Sequence, residues 1–189
     1  ISDVQLGVPV AINIENGIAA MALAQLSGVS NEEIKTGMAS FRGVDRRFDF
    51  KIKTDKVVYL SDYAHHPEEI KQSILSMRAL YGDKKLTGIF QPHLYTRTRD
   101  FYQEFAESLS LLDEVILTDI YPARELPIEG VSSQLIYDNL RPDIDKILCT
   151  KEEVIDILKK KEIEVLMTLG AGDIENYAPQ ICEILNERC

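Results

Sequence analysis

All three histidines of the chain lie in two short segments, each of which follows an apolar run that predicts a strand. Histidine can act as an acid, a base or a ligand near neutral pH. In an open parallel sheet, ligands bind at the edge formed by the carboxyl ends of the strands. We therefore predict a site built from residues 62–67 (Asp-Tyr-Ala-His-His-Pro), the first histidine loop, and residues 91–100 (Gln-Pro-His-Leu-Tyr-Thr-Arg-Thr-Arg-Asp), the second histidine loop.

In the first histidine loop, Asp62 ends the predicted strand, where its carboxylate can face a ligand hydroxyl or a metal-bound water. His65 and His66 come just before a predicted helix. A structural alternative is that His65 caps this helix or packs on Tyr63. The presence of Asp62 beside both histidines favours a ligand site over that alternative.

The second histidine loop places Arg97 and Arg99 at a predicted helix start, where cations oppose the helix dipole. A helix N-terminus together with guanidinium groups favours a carboxylate or a phosphate. Arg97 is the predicted anion clamp. For Arg99, pairing with Asp100 or Glu104 is an equal alternative.

Two further loops are predicted at the same edge, residues 119–125 and 170–173. Gly170 and Gly172 permit a close backbone approach, but they form no recognised phosphate-binding pattern, so tight strand-to-helix packing is favoured. Arg46 and Arg47 precede the predicted sheet. They are either a solvated pair or, at a domain edge, able to reach a ligand in a cleft.

Composition narrows the class of protein. The chain has 189 residues, 45% hydrophobic and 28% charged, with a formal net charge of −10, which argues against binding to nucleic acid or anionic membranes. No apolar stretch has the length of a membrane span. Ile1 is neither an initiator Met nor part of a signal-peptide pattern, so we expect the numbering to begin inside a longer protein. Three cysteines, predicted to be reduced cytosolic thiols, show no metal-like spacing: Cys149, Cys182 and Cys189.

The elements that must position these loops alternate between strands and helices after residue 47, which predicts an α/β fold with a doubly wound, mostly parallel sheet and helices on both faces. Ser30 begins a capping box, Pro67 is a first helical residue, and Thr96 or Thr98 is the predicted N-cap of the helix after the second histidine loop. Strands are predicted at 48–52, 56–60, 86–90, 114–118, 146–149 and 164–169; helices at 13–26, 31–39, 67–81, 98–110, 132–140, 152–160 and 174–187.

Over essentially its whole length the chain resembles the Mur ligase family. The resemblance is carried by both histidine loops and by residues 119–123 (Asp-Ile-Tyr-Pro-Ala) and 168–174 (Thr-Leu-Gly-Ala-Gly-Asp-Ile), in the family's order. The paired histidines and the long second loop are similar to the member that joins L-alanine to UDP-N-acetylmuramate. The resemblance implies that residues 1–42 are the helical end of a central ATP-binding domain and residues 43–189 the Rossmann-like Mur ligase C-terminal domain.

For the nucleotide, the resemblance implies that Asn13 and Asn16 contact adenine and that Arg47 touches the terminal phosphate. The residue before Asn13 is usually His in the family, whereas this chain has Ile12. The other predicted nucleotide-binding positions, at the ribose and base, are Asp62 and Tyr63.

For the amino acid, the resemblance implies a pocket containing His65, His93 and Arg97. We predict His65 as the catalytic base that helps deprotonate the attacking amine. The family commonly has a second Arg after the matched His93, whereas this chain has Leu94, so recognition of the carboxylate rests on Arg97. The predicted substrate-binding set is His93, Arg97, His66 and Arg99.

The reaction implied is ATP-dependent formation of an acyl phosphate from UDP-N-acetylmuramate, followed by attack of L-alanine, in cytoplasmic cell-wall precursor synthesis. The implied cofactors are ATP and Mg²⁺, bound mainly by the central domain, with no metal ligands in this chain. No nucleic acid or membrane insertion is expected, and a homodimer is a candidate state of the full-length protein. The sequence contains no Gly-x-x-x-x-Gly-Lys-Ser/Thr loop, so we expect these 189 residues alone to have no ligase activity and to bind ATP weakly or not at all.

Three alternatives stay open. The first is a related ligase that attaches a salvaged peptide to the same sugar nucleotide during wall recycling. The second is a metallohydrolase with Asp62, His65, His66 and His93 as ligands, which is disfavoured because nearby arginines repel a cation. The third is a noncatalytic binding module.

Overall fold

The computed structural model describes residues 1–7 and 11–188, with the side chains of residues 11 and 12 left out. The prediction about Ile12 and the third predicted thiol, Cys189, therefore lie outside the described part. Contacts between Cα atoms divide the chain into two compact units, Ile1–Asp45 and Arg46–Cys189.

The first unit contains two helices, α1 (Ala11–Leu26) and α2 (Asn31–Ser40). The predicted capping box begins α2: the Glu33 N–H donates to the Ser30 hydroxyl at 3.4 Å, and the Ser30 N–H donates to the Glu33 carboxylate at 3.0 Å. In α1, apolar side chains such as Leu23 and Leu26 are 66% and 86% exposed. Such a row of apolar side chains is the kind of helix surface that normally packs against another part of a protein.

The second unit is a six-stranded sheet in the order β1-β2-β6-β3-β4-β5, in which β1 is antiparallel to β2 and all other neighbours are parallel. The prediction of a mostly parallel sheet is confirmed, and each predicted strand lies within two residues of its observed position. The strands are β1 (Asp49–Lys53), β2 (Val58–Asp62), β3 (Leu86–Phe90), β4 (Glu114–Leu117), β5 (Asp145–Leu148) and β6 (Val165–Leu169).

Helices cover both faces of this sheet, as predicted. Alternate side chains point to opposite faces of a strand. Ile89 belongs to a buried cluster with Leu158 and Ile181 on one face, while Phe90 packs against Phe105 of α4 on the other, with ring centroids 5.2 Å apart. The helices are α3 (Pro67–Leu80), α4 (Tyr95–Leu109), α5 (Gln134–Asn139), α6 (Val154–Lys159) and α7 (Ala178–Asn186), with short 3-10 helices at Lys151–Glu153 and Ile174–Tyr177.

The predicted start of α4 is wrong. The helix begins at Tyr95 rather than residue 98, and its N-cap is Leu94, so neither Thr96 nor Thr98 has that role. Leu94 has φ 74° and ψ 134°, a conformation that side-chain-bearing residues rarely adopt. Within residues 1–7 and 11–188, no helix combines the length and apolarity needed to cross a bilayer.

Candidate functional site

His65 lies in the loop between β2 and α3, where its ring is held by its own neighbours. Its Nδ1 atom is 2.9 Å from the Tyr63 carbonyl oxygen and 3.4 Å from a carboxylate oxygen of Glu69. The His65 ring packs edge-on to Tyr63, with centroids 5.2 Å apart, and also lies 6.0 Å from the ring of His93. His65 therefore packs on Tyr63, as the structural alternative predicted. It also contacts His93, which belongs to the second histidine loop.

His66 faces a different part of the surface. It is exposed, and its ring centroid lies 5.2 Å from that of Phe101 in α4. Its backbone N–H donates to Glu69 at 3.2 Å, which helps begin α3. His66 lines a groove between α3 and α4 together with Lys71 and Glu104. The structure thus places this predicted substrate-binding residue away from the His65–His93 contact.

His93 and Arg97 form the centre of the second histidine loop. Arg97 Nη1 lies 3.3 Å from His93 Nδ1. The His93 ring stacks on Tyr121 at a centroid distance of 5.7 Å, and the Leu94 N–H donates to the Tyr121 carbonyl at 3.0 Å. Burial lowers the pKa of His93, and the positive charge of Arg97 and the repulsion from a protonated His65 lower it further. His93 is therefore a neutral imidazole near pH 7.

The first turn of α4 is already occupied by a carboxylate of the protein. Glu125 accepts hydrogen bonds from the Thr96 N–H at 3.0 Å and from the Thr96 hydroxyl. The bond from the hydroxyl is the main cause that lowers the pKa of Glu125. The Thr96 amide is therefore not free to bind an incoming anion. Arg99, by contrast, is exposed and pairs with Asp100 at 2.7 Å, which was one of the two pairings given as its structural alternative.

The Asp62 carboxylate makes hydrogen bonds to other residues of the second unit. It accepts a hydrogen bond from the Ser73 hydroxyl at 2.6 Å and one from the Ala64 N–H at 3.3 Å. Burial raises the pKa of Asp62 above its ordinary value, although these hydrogen bonds act in the opposite direction. The contacts join the end of β2 to α3, so the structure gives Asp62 a structural role beside the predicted nucleotide contact.

The other predicted nucleotide residues are spread over both units. Arg47 is exposed in the second unit, whereas Asn13 and Asn16 lie on α1 in the first. Arg46 is not a simply solvated partner of Arg47, since its guanidinium lies 4.6 Å above the Tyr63 ring. Sequence reasoning gave Arg46 no specific contact with Tyr63, because the residues are 17 positions apart.

Gln91 is a residue that sequence reasoning missed. Buried behind the second histidine loop, it accepts a hydrogen bond from the Ile174 N–H at 2.9 Å and donates to Asp173 at 2.7 Å. A Cβ atom at Gly172 would lie 2.2 Å from Gln91 Oε1, and one at Gly170 would lie 2.7 Å from the Gln91 carbonyl oxygen. These contacts agree with the interpretation of the glycines as packing residues, since a side chain at either position would collide with Gln91.

No metal centre is evident among the described residues, where no three His, Cys, Asp or Glu side chains are grouped to hold an ion. The two described cysteines, Cys149 and Cys182, are free thiols. Burial raises the pKa of Cys149 to about 11 and also raises that of Cys182. Both are therefore protonated and weakly reactive near pH 7.

Comparison with known proteins gives consistent matches. The family model described as "Mur ligase, glutamate ligase domain" matches residues 46–174. The chain is 78% identical over 188 residues to the UDP-N-acetylmuramate–L-alanine ligase of Phocaeicola vulgatus, covering 100% of this chain and 41% of that protein. It is 60% identical to the Parabacteroides distasonis protein of the same name, covering 98% and 40%. The chain thus spans about two-fifths of the length of these curated relatives.

Solved structures agree on the fold. The UDP-N-acetylmuramate–alanine ligase of Thermotoga maritima superposes with a TM-score of 0.81 at 26% identity, covering 98% of this chain and 40% of that one. A murein peptide ligase from Psychrobacter arcticus superposes with a TM-score of 0.69 at 18% identity, covering 96% and 38%. The second likeness, at lower identity, concerns the fold alone.

Proposed function

The chain belongs to the Mur ligase family, and on that premise we propose that it is the amino-acid-binding part of an ATP-dependent UDP-N-acetylmuramate–L-alanine ligase. The observation that carries the proposal is the meeting of His65, His93 and Arg97 at the carboxyl edge of the sheet. Curated relatives that are 78% and 60% identical to this chain bear this name. The complete protein would work in the cytoplasm, on precursors of the cell wall.

The chemistry assigned to this part is capture and deprotonation of the amino acid. Arg97 offers a guanidinium to the alanine carboxylate, and neutral His93 adds a hydrogen-bond donor beside it. The alanine ammonium must lose a proton before its nitrogen can attack an acyl phosphate. His65, 6.0 Å from His93 between ring centroids, is the proposed base. His66 and Arg99 are proposed to contact the substrate at the outer surface.

Residues 1–42 are proposed to be the end of the central ATP-binding domain and residues 43–189 the C-terminal domain. The exposed apolar side chains of α1, such as Leu23 and Leu26, suit a helix that other parts of a larger domain cover. Asn13, Asn16, Arg47, Asp62 and Tyr63 remain the proposed nucleotide contacts.

ATP and Mg²⁺ are proposed cofactors of the complete ligase, and ATP would supply the phosphoryl group that activates the sugar carboxylate. Arg47 is the one residue of this chain that we propose to touch the ATP phosphates. No metal-binding group of side chains exists in the described ranges. We accordingly assign no catalytic step at the phosphates to this chain and expect the isolated chain to be inactive.

The test is an assay of the complete ligase with UDP-N-acetylmuramate, ATP and either L-alanine or a muropeptide-type tripeptide. We expect product with alanine and little with the tripeptide. Preference for the tripeptide would instead support the recycling ligase. His65→Ala should lower kcat at saturating alanine by about 100-fold or more, the usual contribution of a general base. An unchanged rate would remove His65 from the reaction.

A further inference from the structure

The hydrogen bonds of the two neighbouring histidines determine which nitrogen of each ring carries the proton. A carbonyl oxygen can only accept, so His65 Nδ1, 2.9 Å from the Tyr63 carbonyl, must carry its hydrogen. A guanidinium can only donate, so His93 Nδ1, 3.3 Å from Arg97 Nη1, must be the unprotonated nitrogen of a neutral ring. The two contacts therefore require opposite tautomers: His65 carries its hydrogen on Nδ1, and neutral His93 carries its hydrogen on Nε2.

We propose that His65 and His93 are held as opposite neutral tautomers with separate tasks, and that Glu69 is the positioning residue for His65. His65 presents the lone pair of Nε2, which can take a proton. His93 presents Nε2–H, which can donate to an oxygen. Among the residues that the structure describes, neither Nε2 atom has a protein hydrogen-bond partner, so both are available to a ligand. This inference rests on the proposed function.

Glu69 is placed to hold the His65 arrangement. Its carboxylate accepts from the backbone N–H of His65 at 3.0 Å and from that of His66 at 3.2 Å, and lies 3.4 Å from His65 Nδ1. Burial acts to raise the pKa of Glu69, but the hydrogen bonds from the backbone N–H groups of His65 and His66, together with the attraction to these rings when they are protonated, outweigh it, so the pKa is lowered. The ionised carboxylate favours a proton on Nδ1 and stabilises the imidazolium once Nε2 is also protonated.

Nε2 of His65 takes one proton from the alanine ammonium, which frees the nitrogen lone pair to form the C–N bond. The C–O bond between the acyl carbon and phosphate breaks, and its electron pair leaves with phosphate. The second proton lost by the nitrogen goes to the departing phosphate, and His65 later releases its proton to water. The role of His93 is to donate Nε2–H to the alanine carboxylate beside Arg97.

The chain provides a matched control in Glu68, which precedes Glu69 in the same helical turn. Glu68 is exposed, and its carboxylate accepts from Gln72 at 2.7 Å. Glu69→Gln and Glu68→Gln are therefore the same chemical change at adjacent positions. Glutamine keeps an acceptor for the backbone N–H groups, so the start of α3 is retained.

The first measurement is long-range proton–nitrogen NMR of the complete ligase with nitrogen-15-labelled histidine, at about pH 8, above the ordinary histidine pKa of about 6.5. His65→Gln and His93→Gln identify the two sets of signals. We expect the Nδ1–H form for His65 and the Nε2–H form for His93. Glu69→Gln should give a mixture of the two tautomers for His65 and leave His93 unchanged. Arg97→Met should give a mixture for His93 and leave His65 unchanged. The same tautomer on both rings would overturn the inference.

The second measurement is steady-state kinetics of the same variants. Glu69→Gln should lower kcat by about 10-fold, less than loss of the base itself, with KM for alanine changed by less than about 2-fold. Glu68→Gln should leave both unchanged. Equal effects of the two substitutions would count against a positioning role for Glu69. If the unaltered ligase failed to use alanine while the opposite tautomers were observed, the proposed function alone would be wrong.

Discussion

The carboxylate of Glu125 caps helix α4 through Thr96, a residue 29 positions earlier in the chain, by accepting its backbone N–H at 3.0 Å and its hydroxyl. This contact fastens the loop after β4 to the helix that carries Arg97. The same loop contributes Tyr121, on which His93 stacks. Glu125 therefore supports the amino-acid site without belonging to either histidine loop.

Replacing Glu125 with Ala should weaken binding of the amino acid. Without the carboxylate, the first turn of α4 loses a cap and Arg97 loses its fixed position. We expect KM for alanine to rise by about 10-fold in the complete ligase, since small misplacements of a positioning group are costly. Glu129→Ala, an exposed change in the same connection, is the control and should leave KM unchanged. Equal KM values for the two variants would show that the cap is dispensable.

The start of α2 could be predicted from the sequence, whereas the start of α4 could not. Ser30 and Glu33 are three residues apart, so their capping box was predictable and is observed. Thr96 and Thr98 have the right chemistry for an N-cap, yet the helix starts earlier because Glu125 supplies the acceptor from a distant loop. Local spacing contains no sign of such a partner.

Gly172→Ala should destabilise the second unit. The added Cβ would lie 2.2 Å from Gln91 Oε1 and 2.8 Å from Tyr121 Cβ, so both side chains would have to shift. We expect a loss of about 1–3 kcal/mol in the free energy of unfolding, the usual range for overpacking. Urea denaturation measures it. Gly37→Ala is the control, because it adds a methyl to open space in α2 and should gain about 0.5–1 kcal/mol.

The opposite end of the sheet contains a buried charge, Glu114, whose side chain is 3% exposed. It accepts from Thr87 at 3.2 Å and pairs with Lys85 at 3.3 Å and with Lys161. Glu114→Gln leaves two lysines without their buried partner and should cost about 1–3 kcal/mol in unfolding free energy.

The control for this substitution is Asp145→Asn, because Asp145 also pairs with Lys85, at 3.2 Å, but is 72% exposed. A surface pair contributes about 0–1 kcal/mol, so this variant should unfold almost like the unaltered protein. The two variants can be compared in one urea series. A similar small loss in both would mean that burial of Glu114 contributes little.

The lowered pKa of His93 predicts a dependence of stability on pH. Burial, followed by Arg97 and His65, holds this pKa below the value of about 6.5 expected in the unfolded chain. As the pH falls below about 6.5, the unfolded state takes up the proton first, so stability falls with the pH. Above that value the contribution of His93 is constant.

The measurement is the unfolding free energy of the unaltered chain and of His93→Gln between about pH 5 and pH 8, a range that brackets the ordinary histidine pKa. We expect the variant to lose less stability than the unaltered chain on acidification. His66→Gln, which changes an exposed histidine, should keep the original dependence. Parallel curves for the unaltered chain and His93→Gln would contradict the lowered pKa.

The candidate site was predictable in location but not in its internal contacts. Strand ends and histidine positions suffice to place both loops at one edge, and His65 and His93 meet there. His66 could not be separated from His65 by sequence, because the direction of each side chain depends on how the backbone enters α3. His66 instead meets Phe101 of α4. The role of Gln91 could not be predicted from the sequence either, because its hydrogen-bond partners Asp173 and Ile174 are more than 80 residues away along the chain.

Leu94 has a φ of 74°, which places a branched side chain in a backbone conformation that favours glycine. Leu94→Gly and Leu94→Ala remove the same packing, but only glycine relieves the backbone. Such strain costs on the order of 1–3 kcal/mol, so the glycine variant should be the more stable by about 1 kcal/mol or more. At the exposed Leu126, where φ is not positive, alanine should be at least as stable as glycine. Thermal unfolding of the four variants measures both differences. If alanine were the more stable choice at Leu94 too, the turn between His93 and Arg97 would be unstrained.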